Sequence, residues 1–324
     1  MKTARLQVGI DFSQHKAVMG LFNQDGQEID KHRTFVNSQP GFSEAKQYLL
    51  ETAQSHGFQG VDISGEATAY YWFPFFWQVF HDPDLANLDP KLYLLNPRWV
   101  HWHKKSLPPD HKTDCDDPFY IADRTRTLPA RRRQTWLPQG HWLPLRYYTR
   151  LRFHLAQCLT REKNYYQVYQ FLWYSAFQRI RPFRDTFCAT SRQILRLPTL
   201  APLSQIPPEQ LANTLAEWSK HSLRNPEQNA RKLQDVVAES YPLEGEIAIV
   251  VKTVLDLVLE YILFLENLIE RVDQLIATLV QRDYPEVAYL VSVPGIGPVL
   301  GSGIVAEIGD LDRFFRGEKW DPKR

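Results

Sequence analysis

The sequence is poor in cysteine, has no long uninterrupted apolar run and carries almost no net charge, and each shortage removes a class of protein. Three cysteines, Cys115, Cys158 and Cys188, are odd in number and lack paired spacing, so neither a disulfide framework nor a zinc site is indicated. The longest apolar stretches are broken by charge before they could cross a bilayer, and the opening MKTARLQVGIDF lacks the apolar core of a secretion signal. A cytoplasmic protein is expected. What is there is ordinary for a globular chain with room for two domains: 324 residues, 44% apolar and 23% charged.

The net charge of +1 hides an uneven distribution. From Arg98 to Arg196 there are 19 Lys and Arg against 7 Asp and Glu, so the middle of the chain is strongly basic and the remainder acidic. Aromatic residues interleave with the cations, as in Arg124, Arg126, Arg131, Arg132, Arg133, Trp136, Trp142, Arg146, Tyr147, Tyr148, Arg150 and Arg152. Cations match phosphates and flat rings match unpaired bases, so the segment suits a nucleic-acid path. A solvated helix surface with a few core aromatics is the plainer alternative.

Patterning divides the chain. Residues 6–35 contain three short strands, Leu6 to Asp11, Lys16 to Phe22 and Gln27 to Phe35, with a turn at Asn23-Gln24-Asp25-Gly26. Pro40 opens a helix whose Phe42, Ala45, Tyr48, Leu49 and Ala53 share one face. Further strands are expected at Gly60 to Ser64 and Lys91 to Leu95, separated by Tyr70 to Phe80, where eight of eleven residues are aromatic. This alternation predicts an α/β sheet domain. Beyond residue 145 the pattern is helical, with Pro207-Pro208-Glu209 starting a new helix. Val251, Val254, Val258, Tyr261, Leu265, Leu268, Val272, Leu275 and Leu279 alternate three and four apart, which fits a coiled coil between chains or a helical hairpin within one.

Four carboxylates stand out by position. Asp11 ends the first apolar strand, Glu66 follows a later buried strand, and Asp114 with Asp117 forms a D-x-x-D pair whose members would share a helix face. Strand ends in one sheet lie side by side, so Asp11 and Glu66 can converge and a neighbouring helix can present the other two. Four clustered carboxylates repel unless cations are bound, and hard oxygen donors suit Mg²⁺ or Mn²⁺. Two such ions activate a nucleophile and stabilise the leaving oxygen at a phosphodiester. Lys104, Lys105 and Lys112 precede the D-x-x-D pair and could neutralise phosphate nearby. Pro294-Gly295-Ile296-Gly297 matches either the phosphate-holding turn of a helix-hairpin-helix, with Gly295 and Gly297 offering backbone N–H groups, or a tight turn between packed helices.

Taken in order, Gly9-Ile10-Asp11 with Ser13 and Lys16, Gly65-Glu66-Ala67-Thr68 with Tyr71-Trp72, Asn96-Pro97, and Lys112-Thr113-Asp114-x-x-Asp117 resemble the DEDD transposases of the insertion-sequence-110 family. Val293-Pro294-Gly295-Ile296-Gly297-Pro298, then Ala306-Glu307-Ile308-Gly309-Asp310 and Arg313-Phe314, resemble the start of that family's second conserved domain. The resemblance implies a ribonuclease-H-like (RuvC-like) domain over 1–150, a helical region over 151–285 with a coiled coil at about 246–282, and the start of a helical C-terminal transposase domain over 286–324. It implies recombination of DNA, in several relatives directed by a structured RNA, and the heptad helix is expected to assemble the chain as a dimer or dimer of dimers. Asp11, Glu66, Asp114 and Asp117 inherit the metal-binding and catalytic roles, acting with a serine nucleophile of the C-terminal domain. That serine lies downstream of the Gly-Ile-Gly segment, and neither Ser292 nor Ser302 matches its position, so a C-terminally truncated copy is expected. Two smaller departures are Ala69, where the family often has glycine, and Pro118, where it usually has alanine and which could delay the helix start and leave Asp114 on a loop. The leading expectation is a metal-dependent transposase or site-specific recombinase. A RuvC-like structure-selective nuclease needing no serine, and a non-catalytic nucleic-acid-binding remnant, are the alternatives.

Overall fold

The computed structural model describes residues 4–106, 116–129, 135–136 and 140–309. They fall into two compact units, the described residues up to 140 and residues 141–309.

In the first unit, β1 (Arg5–Phe12), β2 (Lys16–Phe22), β3 (Glu28–Val36), β4 (Gly60–Glu66) and β5 (Lys91–Leu95) form one mixed sheet in the order β3-β2-β1-β4-β5. The first three strands are antiparallel, because only short turns join them. In the second turn the Asn23 side chain accepts the backbone N–H groups of Asp25 and Gln27, each at 2.9 Å, and Gly26 takes the left-handed conformation. The strands β4 and β5 lie parallel to the first, reached through helical connections. These are α1 (Gln39–His56), α2 (Phe73–His81) and the single turn α3 (Pro83–Ala86), followed after β5 by α4 (Pro97–Ser106) and α5 (Asp117–Thr127).

Period-two alternation makes the two sheet faces chemically unlike. In the run Arg-Leu-Gln-Val-Gly-Ile-Asp-Phe of β1, Leu6, Val8, Ile10 and Phe12 are buried on one face. They join Met19, Leu21, Val61, Ile63 and Leu92, and are sealed by Phe42, Ala45 and Leu49 of α1 and Phe75, Phe76 and Val79 of α2. The other face of β1 carries Arg5, Gln7, Gly9 and Asp11, and is covered by α5. There the buried Asp62 carboxylate accepts from Arg5 Nε at 2.7 Å and from Gln7 Nε2 at 3.1 Å, so the inward acid is satisfied at the end of the sheet away from Asp11.

The second unit is helical among its described residues. Its frame is α6 (Leu143–Trp173), beside which the chain folds α7 (Phe177–Ile180), α8 (Ala189–Leu195), a 3-10 turn at Ala201–Gln205, α9 (Pro208–Trp218) and α10 (Pro226–Glu239) before the 39-residue α11 (Gly245–Asp283) returns along it. Ion pairs Arg152–Asp273 (3.1 Å) and Lys163–Glu266 (2.8 Å), with Lys252 over the Trp173 ring, fix α6 and α11 as antiparallel. The buried stripe of α11 is Val251, Leu255, Leu259, Ile262, Leu265, Val272 and Ile276, so only Val251, Leu265 and Val272 of the three-and-four series belong to it, and packing against α6 takes the neighbouring leucines and isoleucines instead. Tyr261 and Leu275 of that series are exposed. After α11 come α12 (Val287–Val291) and α13 (Pro298–Ile308), with Gly295 at φ +91° in the turn between them. No described helix is long and apolar enough to cross a membrane.

Candidate active site

The site begins with strand register. Parallel pairing sets Ile10 beside Gly65, so Asp11 and Glu66 occupy the next positions along neighbouring strands, at the C-terminal ends of β1 and β4. Both point to the face covered by α5, because Gly9 and Ser64 two residues earlier do so.

Glycine decides how close that helix can come. Gly9 pairs with Gly20 across β1 and β2. A Cβ on Gly9 would stand 1.8 Å from the Pro118 carbonyl oxygen, and one on Gly20 would stand 3.1 Å from Pro118 Cβ. Two missing side chains therefore form the seat on which the first turn of α5 rests. Two turns on, Ser64 Oγ donates to Thr125 Oγ1 at 2.8 Å, a buried bond holding the helix to β4. Pro118 sits in the first helical turn, where its missing N–H costs nothing. The described helix starts at Asp117, in keeping with the late start that Pro118 suggests, and Asp114 lies outside the described residues.

Glu66 feels the charges of two of the other acids. Burial, together with the charges of Asp11 and Asp117, pushes the Glu66 carboxyl up from an ordinary 4.5 to about 7, against the lowering effects of Lys104 and a hydrogen bond with Thr68. Lys104, on α4, forms an ion pair with Asp117, which raises the Lys104 ammonium, and its Nζ lies 5.2 Å from the Tyr120 ring centre. Among the described residues no three His, Cys, Asp or Glu side chains are grouped closely enough to hold a metal ion. The donor chemistry nevertheless suits a hard divalent cation: carboxylate oxygens that repel one another, with an ammonium partly offsetting them.

Supporting contacts hold the two helices around the site. The His103 ring lies 2.8 Å from the buried Asp123 carboxylate, which also pairs with Arg126 of its own helix. Val100 packs with Leu95 and Ile121 beneath them. The loop after β4 is strained, since Ala69 adopts φ +47°, a conformation natural to glycine. That gives a backbone reason for the glycine usual there in the resembling family.

The expected nucleic-acid-binding residues separate into groups. Lys105 is exposed on α4. Lys104 is engaged with Asp117 and Arg126 with Asp123. In the helical unit, Arg146 donates to the Ala306 carbonyl at 2.8 Å and Arg150 pairs with Glu307 at 2.7 Å, contacts that secure α13 to α6. Arg124 Nε is buried without a hydrogen-bond partner among the described residues. Gly295 and Gly297 lie in the exposed turn before α13, where an added Cβ would meet nothing within 4 Å. Lys112, Arg131, Arg132 and Arg133 lie outside the described residues. Sequence patterning did not single out the roles of Gly20, Thr125, His103 and Asp123. The available signal was a pair of glycines in strands otherwise built from large apolar residues.

Over residues 8–169, half of the chain, the sequence matches a family described as a transposase, of the DEDD insertion-sequence-110 type. No curated protein matches it.

Proposed function

The chain belongs to the insertion-sequence-110 family of DEDD transposases, and from that premise we propose that it cuts and rejoins DNA at a divalent-metal site built on Asp11, Glu66, Asp117 and Asp114. DNA is the partner that a transposase implies. The observation carrying the proposal is Glu66 held within the fields of Asp11 and Asp117, a costly arrangement unless a cation is to be bound. The strand order β3-β2-β1-β4-β5, with acids at adjacent ends of β1 and β4, supports a ribonuclease-H-like (RuvC-like) reading of the sheet.

In this scheme Asp11 and Glu66 are the fixed ligands, since both ride on sheet positions. Asp117 is delivered by a helix end seated on Gly9 and Gly20, and Asp114 is assigned the fourth role by its place in the D-x-x-D motif alone. A bound Mg²⁺ or Mn²⁺ would supply Lewis-acid stabilisation of the charge that develops on the phosphodiester oxygens. Lys104 must release Asp117 to let that carboxylate serve as a ligand, and is then free to meet a phosphate. The family's serine nucleophile, guidance by RNA and assembly of several copies belong to the same proposal, with the exposed side of the long α11 as the surface for assembly.

The test is a cleavage and strand-transfer assay with Mg²⁺ or Mn²⁺, comparing the chain with Asp11→Asn, Asp114→Asn and Asp117→Asn, and probing for protein attached covalently to DNA. Metal-dependent cleavage lost in each variant is expected, with attachment if a serine acts. Cleavage without attachment would assign a metal nuclease instead. Undiminished cleavage in the Asp11 and Asp117 variants would overturn the site, and DNA binding without cleavage in any protein would mean that only a binding role remains.

A further inference from the structure

We infer that the outward face of α4 is a stacking ledge for unpaired DNA bases beside the carboxylates, an inference that rests on the proposed DNA chemistry and names the form of DNA the site receives. The run of α4, Pro-Arg-Trp-Val-His-Trp-His-Lys-Lys-Ser, contains no acid. Its inner side is fully committed: Val100 is buried, His103 contacts Asp123 and Lys104 pairs with Asp117. These contacts leave one orientation for the opposite side. There Trp102 is 53% exposed, with Trp99, 51% exposed, on the flank beside it, and Arg98, Trp102 and Lys105 form a stripe at helical spacing. The Arg98 guanidinium lies 4.7 Å from the Trp102 ring centre, so a cation and an indole already share one surface.

Two indoles standing in water on a helix that buries a valine need an occupant, because tryptophan is highly buried on average. The charge of the stripe selects it. Cations without any acid suit a polyanion, whereas the centre of a protein interface is depleted of charge. Rings select further within nucleic acids. Bases in a duplex are stacked on each other and closed to an aromatic face, so phosphate contacts alone would serve a duplex, while unpaired bases stack on exposed rings. Position supplies the last step. Trp102 is two residues from Lys104, and a helix with its side chains is only about 10 Å across. A base on the ledge therefore lies within a few nucleotides of a phosphodiester at Asp11, Glu66 and Asp117. Strand exchange requires bases to leave their duplex there, and the ledge gives them a surface.

The test measures binding of the full chain in chelator, without metal, to a labelled single-stranded DNA, its duplex and the same sequence as single-stranded RNA. Trp99→Ala with Trp102→Ala is expected to weaken single-stranded DNA binding about tenfold and leave the duplex within about twofold. The pair Trp99→Phe with Trp102→Phe keeps a ring at each position and is expected to retain most of the affinity, which separates lost stacking from a damaged fold. Equal loss on single strand and duplex, or none on either, would overturn the ledge, and a loss confined to RNA would overturn its assignment to DNA. Since no metal or cleavage enters, the ledge can fail while the carboxylate site stands, and the reverse.

Discussion

Replacing Glu66 by Gln should stabilise the metal-free protein and abolish its stabilisation by metal. With its folded-state pKa raised from 4.5 to about 7, Glu66 holds a proton in the folded chain that the unfolded chain has released across that interval. Stability is therefore unpenalised below about pH 4.5 and is lost as pH rises through about 7. The difference corresponds to roughly 3 kcal/mol as an upper bound. Glu66 is only half-buried, and solvent screening reduces the effect to about 1 to 2 kcal/mol. Glutamine keeps the shape and removes the charge, so in chelator at pH 8 the first thermal transition should rise by about 3 to 6 °C, with the gain shrinking toward zero near pH 4.5. Adding Mg²⁺ should raise the transition of the unaltered chain in proportion to ln(1 + [Mg²⁺]/Kd) and leave Glu66→Gln nearly unmoved. Differential scanning fluorimetry over pH and Mg²⁺ reads both effects. A variant no more stable than the unaltered chain in chelator at pH 8, or a gain of equal size at both pH values, would refute the picture of a carboxylate held against its neighbours.

Three further substitutions test how the site is positioned. Gly9→Ala places a Cβ 1.8 Å from the Pro118 carbonyl oxygen and should cost about 3 kcal/mol by thermal melting, with metal affinity falling as Asp117 is pushed from Asp11. Ala69→Gly relieves φ +47° and should stabilise by up to about 1 kcal/mol, since the cost of the left-handed backbone outweighs the freedom glycine adds to the unfolded chain. Thr125→Val strands the Ser64 hydroxyl, now bonded at 2.8 Å, and should cost about 1 to 3 kcal/mol in urea unfolding, much of it recovered by adding Ser64→Ala.

How far the sequence reveals this arrangement depends on whether the signal is local. Alternation in β1 and the turn at Asn23 to Gly26 are local, and the strand at Lys91–Leu95 lies where the pattern places it. Adjacent strand ends carrying Asp11 and Glu66 follow from the same patterning once the strands are parallel neighbours. The seat for α5 is not local, because it depends on Gly9, Gly20 and Pro118 meeting across more than a hundred residues. A count of cations along the chain likewise cannot tell that Arg146 and Arg150 are held by Ala306 and Glu307, or that Lys104 faces an aspartate. The three-and-four spacing of α11 is ambiguous for a related reason. Packing against α6 in the same chain and packing against a second copy make the same demand on a helix, and exposed residues such as Leu257, Tyr261, Phe264 and Leu275 mark apolar surface that the hairpin leaves uncovered.

The unlike faces of the sheet explain how such a site can persist in a marginally stable fold. One face of β1 sets four large apolar side chains into a core closed by α1 and α2, and each fully buried side chain of this kind contributes roughly 1.5 to 3 kcal/mol. The other face carries small and acidic residues, Gly9, Asp11, Ser64 and Glu66, which add little burial and impose the repulsion felt at Glu66. Strand alternation lets both faces share one backbone, so stability accumulates opposite the place where it is lost. Substitutions that enlarge Gly9 or neutralise Glu66 then act in opposite directions on stability, yet both remove the geometry that a metal requires. A fold selected for stability alone would fill the second face as it fills the first.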